Sequence, residues 1–537
     1  MFARGISILV ASNVDAGNIP SPRPYDALAD RCAQAALRAM QAENDSMTLS
    51  ERAAQPDRYA RLQQKRREQL ESFLWVEPNR DALECMLDLI GAILEEISWA
   101  DRDQPVDDPA KPKIDVQAAE TAMLLAWVMR RHGSKLKEIC PNLAAEIASQ
   151  LRRRLLSPML AHNDYAFMRG RGVCPMLILS DLLLSCLMLE DSPSRRQQPI
   201  KHLMLLLDRV YSLPPSALTP LEDRLADACA LADLARLLKR ISRGELDLTR
   251  DVPTGTRLDD ILIPWIHTDC FFDPAGNGLQ PHISGMDVFR LGYLSRDNAL
   301  TALGAHINRL NNRPSASVNG RVLNMEYFRA AQDENNPLPH LRRAAAEDRS
   351  LMVSRMGRLC TAITTGGDRA NAGDFVIFSD SVPVIADMGG LIHSLPEIDG
   401  CGPMIRPRFG VSADADFGRE RDLMSTDLSG CYGEECGVAA YQRTLMTMRS
   451  DGTIRLVDAF ELIRQPKEIA FRFVCAQKPL ILGDCVRIGA MHLFWDGEME
   501  PEICEAGEGS EKCFLLKLKM INPQRRLICG FRFEEIE

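Results

Sequence analysis

The chain has 537 residues, 46% of them hydrophobic and 26% charged. At about 150 residues per domain that allows sizeable cores in more than one domain, and it excludes wholesale disorder. The 64 Lys and Arg against 74 Asp and Glu leave a net charge of −10, which argues against nucleic acid as a partner because phosphate binding wants a basic surface.

The opening apolar run, residues 6–11, is short for a leader and interrupted by Ser7. No later run approaches the roughly 18 apolar residues of a membrane span, so no membrane partner is expected. The 16 cysteines are scattered singly through apolar segments and read as buried free thiols in a reducing, cytoplasmic setting. Cys431 and Cys436 have no second pair with which to form a zinc site.

Residues 1–330 read as helical. In 81–97, Leu83, Met86, Leu87, Ile90, Ile93, Leu94 and Ile97 follow the three-and-four spacing of an amphipathic helix. Similar patterns recur at 115–131, 142–156, 174–190, 199–212 and 222–241, with Asp115 placed to start its helix. Arg152, Arg153 and Arg154 read as the solvated face of one of them. From about residue 374 the period changes to two, in 374–379, 382–387, 453–462, 469–475, 513–521 and 527–533. In 469–475, Ile469, Phe471, Phe473 and Cys475 share one face, and Ala470, Arg472 and Val474 the other. Strands joined by tight turns such as Ser450-Asp451-Gly452 predict an antiparallel sandwich after a helical half.

Several blocks in this order resemble the heparinase II/III-like polysaccharide lyases. They are Glu95-Glu96-Ile97-Ser98-Trp99, the stretch 114–121, Asn163-Asp164-Tyr165, the stretches 373–378 and 382–389, and His393 to Gly400. The resemblance implies an α+β multidomain chain, with an incomplete (α/α) toroid followed by an antiparallel β-sandwich. The expected division is an extension over 1–50, the toroid over 51–335 and the sandwich over 350–537.

Such lyases cleave beside a uronic acid by β-elimination. The reaction needs a donor to neutralise the sugar carboxylate, a base for the C5 proton and an acid for the leaving O4. The matching positions here depart from the family. Gly367 stands where the family has a catalytic histidine, and Asp223 where it has tyrosine. The resemblance leaves Asn163, Asp164, Asp223 and His282 as catalytic candidates, and Trp99, Tyr165, Arg169, Arg369 and Asn371 as substrate-binding candidates. Asp387 and His393 match two of three positions of the family's zinc, but Arg369 occupies the third. No cofactor is therefore expected, and the Arg369 guanidinium is expected to fork onto Asp387 in place of the metal. The expectation is a catalytically impaired, glycan-binding protein for acidic polysaccharides or oligosaccharides, able to form a homodimer. The alternative is an active lyase on acidic oligosaccharides with rebuilt catalytic groups.

Overall fold

A computed structural model describes residues 1–10, 18–19, 26–41, 47–101, 111–213, 219–249, 262–267, 270–273, 278–280, 283–339, 343–346, 349–365, 372–380, 382–386, 393–404, 411–506 and 513–536. The chain divides into two units. One comprises Met1–Pro214, Asp223–Thr256 and Ser284–Pro337; the other comprises Pro215–Glu222, Arg257–Ile283 and Leu338–Glu537.

The first unit is helical. The periodic segments fold as Arg80–Leu94, Val116–Ile139, Leu143–Leu151, Pro175–Leu189, Pro193–Tyr211 and Leu221–Ile241. Their starts are fixed by local chemistry. Asn79 accepts from the Ala82 amide at 2.9 Å, and Asp115 from the Ala118 amide at 3.0 Å, satisfying first-turn donors that a helix leaves unpaired. Helix Pro175–Leu189 is apolar nearly all round and is buried along almost its whole length. Its neighbour Val116–Ile139 buries Ala118, Ala119, Ala122 and Ala126, whose small side chains suit close approach between helices.

Helices Gly285–Ser295 and Asn298–Asn311 touch backbone to backbone. A Cβ on Gly304 would lie 2.1 Å from the Phe289 nitrogen, and one on Gly285 2.2 Å from the Asn308 nitrogen. Both positions therefore need glycine for the approach itself.

The second unit is a β-sandwich. Its eight-stranded sheet runs, edge to edge, Ala413–Phe417, Arg421–Asp427, Val438–Met448, Ile454–Leu462, Arg526–Glu535, Met491–Trp495, Val486–Ile488 and Leu480–Ile481. The other sheet is built on the order Met499–Ala506, Cys513–Met520, Ile469–Cys475, Val382–Ile385, Phe375–Ser379, Leu359–Thr364, Leu351–Met356 and Arg343–Ala345. The short strand Glu397–Ile398 pairs off this path with Ile469–Cys475. All pairings are antiparallel among the described strands. Ile469, Phe471, Phe473 and Cys475 enter the core between the sheets, as their alternation predicts.

Three expectations are corrected. Residues 1–50 are not a separate extension where they are described: Phe2 and Leu9 are buried in the helical core, and the Phe2 and Ala3 amides donate to Asp208. The stretch before residue 330 is not wholly helical. Trp265–His267, Cys270–Asp273 and Gly278–Gln280 form a three-stranded sheet, and Ile266 and Phe272 pack with Val353, Val376 and Phe378. Strands of three or four residues are too short to establish a sequence period.

Arg154 is also not solvated. A single π-helical turn, Arg152–Leu156, turns it inward, where Nη1 donates to the Ile97 carbonyl at 2.9 Å and Nη2 to the Leu94 carbonyl at 2.7 Å. The guanidinium closes the carbonyl end of helix Arg80–Leu94, a favourable place for a cation.

Candidate functional site

The helical unit contains a cavity of about 1420 Å³. That exceeds the ~300–1,000 Å³ of most small-molecule sites. Trp75, Tyr165, Phe167 and Phe328 bring aromatic surface to its wall. Among the described residues, basic lining side chains outnumber acidic ones, although the chain as a whole is acidic.

Tyr165 is held by the segment before the 3-10 helix Ala166–Arg169. Its hydroxyl donates to the Pro112 carbonyl at 2.9 Å, and its ring stacks on Phe167 with centroids 5.6 Å apart. Lys111 Nζ stands 5.4 Å over the Tyr165 ring and pairs with Asp164 at 2.6 Å. The Lys111 bond holds the Asp164 carboxyl below the usual range. Lys113 pairs with Asp115 at 3.3 Å. Gly170 and Gly172 both take positive φ, +64° and +86°, and set the turn that presents Arg171 at the wall. Arg171 is exposed and makes no ion pair among the described residues.

Opposite charges brace the remaining wall. Arg321 forks onto Glu71 at 2.6 and 2.8 Å, a bidentate pair that fixes both groups. Glu120, on helix Val116–Ile139, accepts from the Val318 amide at 2.6 Å and stands close to the buried carboxyl of Asp181 on helix Pro175–Leu189. Burial raises both, Asp181 well above the ordinary carboxylate range, and the Glu120 charge raises Asp181 further; Arg321 opposes the shift at Glu120. Both shifts favour the protonated form of this pair beside the cavity. Sequence reasoning missed it, although Asp181 was visible as a lone carboxylate in an otherwise apolar helix.

The predicted residues divide. Tyr165 lines the cavity. Asn163 and Asp164 are exposed and stand outside its lining, with Asp164 acting through Lys111. Arg169 is likewise exposed and outside the lining, and the neighbouring Arg171 takes the wall position. Trp99 is a core residue, 2% exposed, with its indole donating to the Ile93 carbonyl at 2.9 Å and Arg154 stacked over it. Its ring is thus closed to a ligand in the cavity. Asp223 also stands outside the lining, with its carboxylate 3.5 Å from the Cys174 thiol. His282, Arg369, Asn371 and Asp387 lie outside the described residues.

In the β unit, His393 is buried and its Nδ1 meets Asp374 Oδ2 at 2.5 Å, while Asp374 Oδ1 accepts from the Ser394 amide. No group of three or more His, Cys, Asp or Glu among the described residues is placed to hold a metal. A cation does sit close by: buried Arg443 forks onto Asp458 at 2.7 and 2.8 Å and donates to the carbonyls of Gly373 and Ser394. It braces both ends of the segment that carries Asp374 and His393. The expected Arg369–Asp387 pair itself lies outside the described residues.

No family model and no curated protein matches the chain. Solved structures do. The chondroitin AC lyase of Streptomyces coelicolor A3, solved with chondroitin sulphate, aligns over 99% of this chain and 82% of its own at 11% identity and a TM-score of 0.61. Heparan sulfate lyase HepC of Pedobacter heparinus aligns over 85% of this chain and 88% of its own at 10% identity, with a TM-score of 0.38. A heparinase III aligns over 92% of both chains at 10% identity, with a TM-score of 0.41. The first likeness spans nearly the whole chain, and at its low identity it speaks to architecture alone. The chain has a polysaccharide-lyase-like fold, with a helical toroid-type unit and an antiparallel β-sandwich.

Proposed function

We propose that the cavity of the helical unit binds an acidic oligosaccharide, and that the chain is a glycan-binding relative of polysaccharide lyases with little or no β-eliminating activity. The wall chemistry carries this reading. Aromatic surface at Tyr165 and Phe167 suits the apolar faces of sugar rings, while Lys111, Lys113, Arg171 and Arg313 offer cations to carboxylates or sulfates. The structural neighbour solved with chondroitin sulphate gives a polyanion of the right class as a first ligand.

The impaired chemistry rests on what the wall holds. The only lining phenol among the described residues is Tyr165, and its proton is committed to the Pro112 carbonyl. No lining residue among those described is a histidine. Losing a general acid or base costs about 10²–10⁴-fold in rate.

Titration of the whole protein with chondroitin sulfate oligosaccharides tests the reading. Binding without new ultraviolet absorbance from a C4–C5 double bond is the expected result, and affinity should fall as salt rises. Absence of binding at low salt would overturn it.

One feature favours the alternative of a working lyase: Glu120 lines the wall with Asp181 behind it, and burial shifts both carboxyls toward the protonated form. On that reading unsaturated product accumulates, and Glu120→Gln abolishes it while oligosaccharide binding persists.

A further inference from the structure

The 16 cysteines are all free thiols. Two of them, Cys401 and Cys436, are brought together from separate sheets. Cys401 follows the short strand Glu397–Ile398 and exchanges both backbone hydrogen bonds with Ile398 at 2.9 Å. Through Ile398 and Glu397 it is tied to strand Ile469–Cys475 of one sheet. Cys436 ends the 3-10 turn Glu434–Cys436, and after Gly437 the chain enters strand Val438–Met448 of the other sheet. The bridge between Pro403 and Tyr432 and the Met404 amide bond to the Cys431 carbonyl draw these segments together. As a result the Cys436 thiol lies 4.0 Å from the carbonyl oxygen of Gly402, the residue that follows Cys401, and the Cys401 thiol is near enough to raise the Cys436 pKa.

We propose that Cys401 and Cys436 are a dithiol that oxidised glutathione, or another small disulfide, converts to an intramolecular disulfide linking the two layers of the sandwich. Cys401 is half-buried and Cys436 is buried, so exchange begins at Cys401. Its thiolate attacks one sulfur of the small disulfide, forming a mixed disulfide and releasing one thiol. The Cys436 sulfur then attacks the Cys401 sulfur, the second small thiol leaves, and the proton of Cys436 goes with it. Two protein thiols are oxidised and one small disulfide is reduced to two thiols. Burial, with a contribution from Cys401, pushes the Cys436 thiol up to about 12, so the second step should quicken as pH rises.

Cys475 and Cys513, on neighbouring strands, cannot react in this way. Cys475 faces the core between the sheets, whereas Cys513 packs with Val474 and Leu515 on the opposite face of the same sheet.

The test is to incubate the folded full-length protein with oxidised glutathione, trap remaining thiols by acid quench and alkylation, and map the peptides by mass spectrometry. The expected result is loss of two alkylatable thiols, a peptide joining Cys401 to Cys436, and a rise in Tm on the order of 5 °C. That rise should be absent in Cys401→Ser and in Cys436→Ser. Retention of all 16 thiols, or a disulfide mapped to any other pair, would overturn the proposal, and the mapping on the unmodified sequence does so even if a serine variant folds poorly.

Discussion

Asp227 uses its carboxylate to accept the first amides of helix Pro175–Leu189, including Leu177 at 2.9 Å. Burial raises its pKa to about 7 against the pull of those amides. A carboxyl raised on folding stabilises the fold when protonated, and that contribution is lost as pH rises from the ordinary carboxylate range through about 7. Asp227→Asn keeps an acceptor for Leu177 and removes the charge. It is expected to be more stable than the parent at pH 8, by about 1–2 kcal/mol, with the difference vanishing only as pH falls to about 4. Denaturant unfolding at the two pH values measures it, and an unchanged pH dependence would contradict the account. At the wall, Arg171→Ala is expected to weaken oligosaccharide binding by about tenfold, the loss of one charge-assisted contact.

The same scale separates what the sequence disclosed from what it withheld. Tyr165, singled out because its block resembled a family motif, lines the cavity. Arg171 was hidden by its neighbour: Arg169 and Arg171 look alike in sequence, and only the positive-φ turns at Gly170 and Gly172 select which reaches the wall. The Glu120–Asp181 contact joins helices distant in sequence, so no local pattern encodes it.

Helices were legible where their period was long and their caps were conventional, as in Val116–Ile139 behind Asp115. The π turn at Arg152–Leu156 was not, because it keeps a helical composition while rotating Arg154 inward. Arg154→Met retains the stem but leaves the Leu94 and Ile97 carbonyls without their donor. A loss of about 2–3 kcal/mol is expected, read by denaturant unfolding. Gly304→Ala is expected to cost at least as much, roughly 3 kcal/mol, because the added methyl meets the backbone of Phe289 rather than a movable side chain. Its helix runs into Asn312 and Arg313 of the cavity wall, so oligosaccharide affinity should fall with it. A fully stable Gly304→Ala protein would contradict the close crossing.

For the whole molecule, the change of period from about residue 374 revealed a helical part followed by a β part, and the units change at Pro337 and Leu338. The return of Arg257–Ile283 to the β unit was not legible, because its strands are short and lie within a helical stretch. The resemblance identified a lyase-like architecture. Reaction chemistry was harder to read, since it depends on which side chains reach one cavity. The most direct measurement of the central claim is calorimetric titration of the intact protein with a chondroitin sulfate oligosaccharide, with the ultraviolet absorbance of the same mixture followed to completion. Saturable, salt-weakened binding that Arg171→Ala impairs, with no unsaturated product, is the predicted result; no binding, or binding accompanied by steady growth of unsaturated ends, would contradict it.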